Sequence, residues 1–107
     1  MVPSPSAETL TLIVQRLVDA LHPEQIILFG SRAWGTPRQD SDFDLFLIMP
    51  GETKITLDLQ AEAYAALFDL GISKDIVLSN RAHVEKTAHI RGSLTYRVLY
   101  QGKIIYG

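Results

Sequence analysis

The chain has 107 residues, 47% of them hydrophobic and 21% charged, values that fit one globular domain. Its formal net charge of -2 leaves no basic excess for holding a long nucleic acid unaided, and the absence of cysteine excludes disulfides, zinc–thiolate centres and thiol nucleophiles. No apolar run approaches the roughly 18 residues of a membrane span, and the start lacks the charged and apolar segments of a signal peptide, so a cytoplasmic protein without membrane contact is expected.

Leu10, Ile13, Val14, Leu17, Val18 and Leu21 recur at helical spacing, which predicts a first amphipathic helix. Ser4 or Ser6 can cap it, Pro5 suits its first turn, and His22-Pro23 stops it. Residues 25–29 are a short apolar run ending at Gly30 and read as a buried strand. Residues 30–40 are rich in Gly, Pro, Arg and polar side chains, a loop with room for one helical turn after Ser31. Residues 42–49 alternate at first and then become continuously apolar, as a strand does on passing from a rim into the core. Leu57, Ala61, Tyr64, Leu67 and Phe68 predict a second helix, with Gly71 as its C-terminal cap. A third strand follows over residues 74–79, then helix over 81–100 in one or two pieces, since Gly92-Ser93 can break and recap it. A last short strand is expected at residues 103–106. The order predicts an α/β fold of the α+β type: one domain over residues 1–107, with a small mixed sheet and helices packed mainly on one face.

The chemistry concentrates at one rim. Asp42 and Asp44 are two apart on a strand, so both carboxylates point to one face. Two such acids repel, and a divalent cation with oxygen ligands, such as magnesium, resolves the conflict. Asp75 enters the third strand; if that strand lies beside the second, three acids meet, enough to hold two metal ions for phosphoryl or nucleotidyl transfer. Gly30-Ser31 follows a strand end, where glycine allows close approach of the backbone to phosphate and the serine hydroxyl can donate to it. Arg32 and Arg38 lie in the same loop and offer charge for a triphosphate. Each piece alone has an ordinary reading as turn or strand-start chemistry. It is their conjunction, with ten residues between Ser31 and Asp42, that points to a site.

The run Gly30-Ser31-Arg32-Ala33-Trp34-Gly35 through Ser41-Asp42-Phe43-Asp44-Leu45 resembles the signature of the polymerase-beta-type nucleotidyltransferase superfamily. The short length and the ending Tyr100-Gln101-Gly102-Lys103-Ile104-Ile105-Tyr106 resemble the minimal nucleotidyltransferases of prokaryotes. The resemblance implies the nucleotidyltransferase fold, triphosphate binding at Gly30 and Ser31, with Arg32 beside them as the nucleotide-binding charge of the loop, and two magnesium ions held by the catalytic Asp42, Asp44 and Asp75. It further implies ATP as substrate and a HEPN-domain ribonuclease toxin as partner in a hetero-oligomer. The toxin would be neutralised by AMP transfer to a tyrosine hydroxyl. A cover that inhibits by binding alone, and transfer to a small molecule, are the alternatives. The resemblance breaks at Trp34, where many relatives carry a basic residue; Trp34 is read either as a lid over the nucleotide or as packing on the domain's own surface.

His22, His83 and His89 show no metal-ligand spacing and are expected on the surface. Tyr64, Tyr96, Tyr100 and Tyr106 are expected in or around the core, with Tyr96, Tyr100 and the last strand also considered as a partner-binding surface. Arg91, Arg97 and Lys103 are read as solvated charge.

Overall fold

The computed structural model describes residues 5–35 and 41–107, with side chains from Ala7 onward. Helix α1 (Pro5–Leu21) leads to strand β1 (Gln25–Phe29), the single-turn helix α2 (Ser31–Trp34) and strand β2 (Phe43–Met49). Helix α3 (Leu57–Leu67) runs into a 3-10 turn (Phe68–Leu70) and strand β3 (Lys74–Asn80); helices α4 (Arg81–Thr87) and α5 (Leu94–Gln101) precede strand β4 (Lys103–Tyr106). The expected caps of α1, Ser4 and the side chain of Ser6, lie outside the described residues, as does Arg38.

Element ends follow local chemistry. At the close of α1, His22 takes a φ of 52° and its N–H still donates to the Val18 carbonyl at 3.0 Å. Thr56 caps α3 by accepting from Leu59 N–H at 3.1 Å, and Gly71, at φ 62°, turns the chain out of the 3-10 segment, a left-handed conformation that glycine adopts without a Cβ penalty. The helical stretch after β3 divides as its Gly92-Ser93 pair predicts. Asn80 caps α4 through His83 N–H at 2.8 Å, and Ser93 caps α5 through Tyr96 N–H at 3.0 Å.

The four strands form one mixed sheet in the order β3-β2-β1-β4. Strand β1 runs antiparallel to β2 and β4, and β2 runs parallel to β3. Parallel strands need a crossover, and α3 supplies it. Because β2 is central, its side chains are buried on both faces, which is why its sequence reads as a continuous apolar run. Phe43, Leu45, Leu47 and Met49 pack with Ile13 and Leu17 of α1 and Ala63 and Leu67 of α3. Phe46 and Ile48 point the other way, to a smaller cluster with Ile27, Phe29, Val84 of α4 and Val98 of α5. The two long helices thus take one face, as the sequence predicts, and the three short ones partly cover the other. The open part of that second face, at the rim where β2 and β3 begin, is where the acids emerge.

Leu47 is fully buried at the centre of the larger cluster. Leu47→Ala removes its contacts and leaves a cavity, so unfolding by urea is expected to show a loss of about 2–5 kcal/mol. A loss under about 1 kcal/mol would mean that the layer collapses to fill the space.

Candidate active site

The site begins where β1 ends. Gly30 takes φ 75° and ψ -155°, a region that L-residues rarely enter. Its carbonyl accepts from Ala33 and Trp34 N–H at 2.9 and 3.0 Å, which folds residues 31–34 into the α2 turn. The register pairs Phe29 with Asp44, so the turn lies against that aspartate. A Cβ at Gly30 would stand 2.0 Å from Asp44 Oδ2. The position therefore demands glycine twice, once for its backbone and once for the carboxylate beside it.

Asp42 lies one residue before β2, not within it. Its chain is already joined to the loop before β3, since Phe43 N–H donates to the Ser73 carbonyl at 2.9 Å, and the Ser73 hydroxyl donates to Asp42 Oδ1. Asp44 stands directly beside Asp75 in the parallel register. Neighbouring strands are about 4.8 Å apart and paired residues share a face, so the two carboxylates emerge together. Burial pushes the Asp44 carboxyl above its usual value, and the charges of Asp75 and Asp42 push it further. Carboxylate oxygens alone make a donor set suited to a hard divalent cation, and its charge would relieve this repulsion. Among the described residues no three ligating side chains already surround a common point, because Asp42 is turned towards Ser73 and Asp75 towards Tyr64.

Tyr64, expected in or around the core, lies at its margin on α3, 38% exposed. Its phenol reaches round the free edge of β3, accepting from Ile76 N–H at 3.0 Å and donating to Asp75 Oδ1 at 3.4 Å. The helical stripe gives the face of a residue but not whether a polar tip projects past the packed layer. Tyr100 corrects the same expectation: it is 72% exposed and stacks at 4.4 Å on Tyr96, because α5 packs through Val98 and Thr95 and leaves that side to solvent.

Arg32 is committed to the protein's own backbone. Its Nε and Nη2 donate to the Ser41 carbonyl at 3.0 and 2.8 Å, and the guanidinium lies 3.9 Å over the Phe43 ring. The cation thus fastens the residue that precedes Asp42. Ser31, on the same turn, is exposed. Of the two readings of Trp34, the structure shows packing: its ring lies 6.0 Å from Phe29 and carries the Arg97 guanidinium at 4.4 Å. Arg97 is accordingly more than solvated charge. His22, His83 and His89 are exposed, as expected.

Residues 12–107 match the family model described as Polymerase beta, Nucleotidyltransferase. The chain belongs to that family. A protein adenylyltransferase, MntA of Aphanizomenon flos-aquae (strain 2012/KM1/D3), is 29% identical over 102 residues, spanning 94% of this chain and 67% of that protein. Two solved structures share the fold. One is a mutant of the toxin–antitoxin MntA–HpeT, with TM-score 0.62 and 21% identity over 92% of this chain and 73% of the other. The second is a toxin–antitoxin with AMP-PNP, with TM-score 0.63 and 23% identity over the same shares.

A carboxyl held above its unfolded value favours folding below that unfolded value, and the advantage is lost as pH rises through the raised one. Ionised Asp44 therefore costs stability at neutral pH. In metal-free buffer Asp44→Asn is expected to raise the melting temperature by a few degrees at neutral pH, with the gain vanishing once acid protonates the carboxylates. An unchanged or lowered neutral-pH melting temperature would show that the aspartate is not strained by its neighbours.

Proposed function

We propose that this chain is an antitoxin that transfers AMP from ATP to a hydroxyl, that of a tyrosine, on a cognate HEPN-type toxin and so neutralises it. The observation that carries the reading is the juxtaposition of Asp44 and Asp75 across β2 and β3, with Asp42 beside them and the Gly30 turn packed onto Asp44. Family membership supports nucleotidyl transfer. The likeness to a protein adenylyltransferase supports AMP as the group moved and a protein as the acceptor. The fold shared with two toxin–antitoxin structures, one holding AMP-PNP, supports a toxin partner and ATP. Use of ATP accords with a cytoplasmic location.

The chain's own residues divide the work. Gly30 lets the backbone approach the beta and gamma phosphates, and the exposed Ser31 hydroxyl donates to them. Arg32 adds positive charge at the rim while tying Ser41, and with it Asp42, in place. Asp42, Asp44 and Asp75 would hold two magnesium ions, which neutralise charge on the triphosphate and make the acceptor hydroxyl more acidic. The acceptor oxygen attacks the alpha phosphorus in line, its bond to phosphorus forming as the bond to the leaving pyrophosphate breaks. The hydroxyl proton passes to a carboxylate oxygen of Asp75; Tyr64, donating to Oδ1 of that residue, orients the group that receives it. Neither described cavity is lined by the acids, and in this reading the hydroxyl comes from the partner. Exposed Tyr100, stacked on half-buried Tyr96, and exposed Ile104 on β4 give that partner an apolar surface to rest on.

Mass spectrometry of the toxin after incubation with ATP and magnesium tests the reading. A gain of one or more AMP units is expected with the native chain, and none with Asp42→Asn combined with Asp44→Asn, which removes two carboxylates without changing their size. Modification that survives the double substitution sinks the proposed site. A stable but unmodified complex with the native chain would favour a cover that acts by binding.

A further inference from the structure

A cavity of about 210 Å³ opens between the sheet and the pair α4–α5, lined by Phe46, Val77, Ser79, His83, Thr87 and Thr95 among others. It lies on the sheet face that carries the acids. Asp44, Phe46 and Ile48 share that face on β2, and Asp75, Val77 and Ser79 share it on β3, in matched register. The pair Phe46 and Val77 is therefore the next same-face step beyond Asp44 and Asp75, about 7 Å further along the strands. Ser79 is one step deeper. It is only 6% exposed, and its Oγ has no hydrogen-bond partner among the described residues. A buried hydroxyl left unpaired costs free energy that a ligand atom or a trapped water would return.

We propose that this cavity receives the base of the nucleoside triphosphate, with the Ser79 hydroxyl bonding to its edge. The assignment rests on the nucleotidyl-transfer reading and names a subsite within it. With the alpha phosphorus at the acids, the ribose spans the step to Phe46 and Val77, and the base enters beyond it. Phe46 and Val77 give the ring an apolar wall. Ser79 and His83 supply groups that both donate and accept at its edge, and the Thr87 hydroxyl, which donates to the His83 carbonyl at 2.9 Å, is left to accept; this is the pattern of a small-molecule site, mostly apolar with a few placed polar groups. The larger cavity, about 330 Å³ beside Leu10, Val14 and Ile105, lies against α1 and β4, on the side away from the acids, and its polar side chains, Thr11 and Gln15, are exposed to solvent.

Titration calorimetry of the full chain with a non-hydrolysable ATP analogue, and separately with inorganic triphosphate, both with magnesium, tests the assignment. Ser79→Ala removes only the unpaired hydroxyl, so folding is expected to be retained or strengthened. It is expected to weaken nucleotide binding about fivefold, the worth of one hydrogen bond, and to leave triphosphate binding unchanged. Thr87→Leu, which narrows the cavity from the α4 wall, is expected to do the same. If neither variant alters nucleotide affinity, Ser79 serves a trapped water and the assignment falls. Equal weakening of nucleotide and triphosphate would overturn it too, since the effect would then not concern the base. A native chain that binds neither probe removes the transfer reading along with the subsite.

Discussion

Asp44 and Asp75 lie side by side because β2 and β3 run parallel and in register, and that pairing is held against the repulsion of like charges. Two clusters of buried side chains, one on each face of β2, secure the strand from Leu45 to Met49. The acids therefore sit at the end of the best-packed strand of the sheet, where the core can bear the strain they introduce. Bonds that act at the rim then set each carboxylate in place. Ser73 holds Asp42, Tyr64 holds Asp75, and Arg32 fastens Ser41. Gly30 leaves the space that Asp44 fills.

The two faces of the sheet do different things. Helices α1 and α3 cover most of one with aliphatic packing, the source of most of the stability of a small domain. The other face is covered by short helices whose contacts are fewer and more polar. That incomplete cover leaves room for the carboxylates, for the aromatic stack of Phe29, Trp34 and Arg97, and for the cavity at Ser79.

Much of this was legible in the chain because it is encoded locally. Periodicity located both long helices and the strands, and Gly71 and Gly92-Ser93 marked their breaks through turn chemistry that acts within a few residues. Asp42 and Asp44 could be placed on one face from strand alternation alone. The proximity of Asp75 was legible only as a condition, because which strands neighbour each other is decided by packing between segments 31 residues apart. The role of Tyr64 is hidden for a related reason: its helical stripe gives its face, while its hydroxyl reaches past the layer to the Ile76 N–H on the β3 edge. Trp34 kept two readings until its contact with Arg97, 63 positions away, fixed one. The Ser79 hydroxyl carries no sequence signal at all, since a serine closing an apolar strand looks the same with or without a partner.

Ionised Asp44 is disfavoured by burial and by the charges of Asp75 and Asp42, and a cation bound with its nucleotide would relieve it. The most direct measurement is the melting temperature of the native chain and of Asp75→Asn as magnesium and a non-hydrolysable ATP analogue are added together. The expected result is a clear rise for the native chain that saturates with ligand, and little or none for Asp75→Asn. Equal rises in both proteins, or none in either, would contradict it.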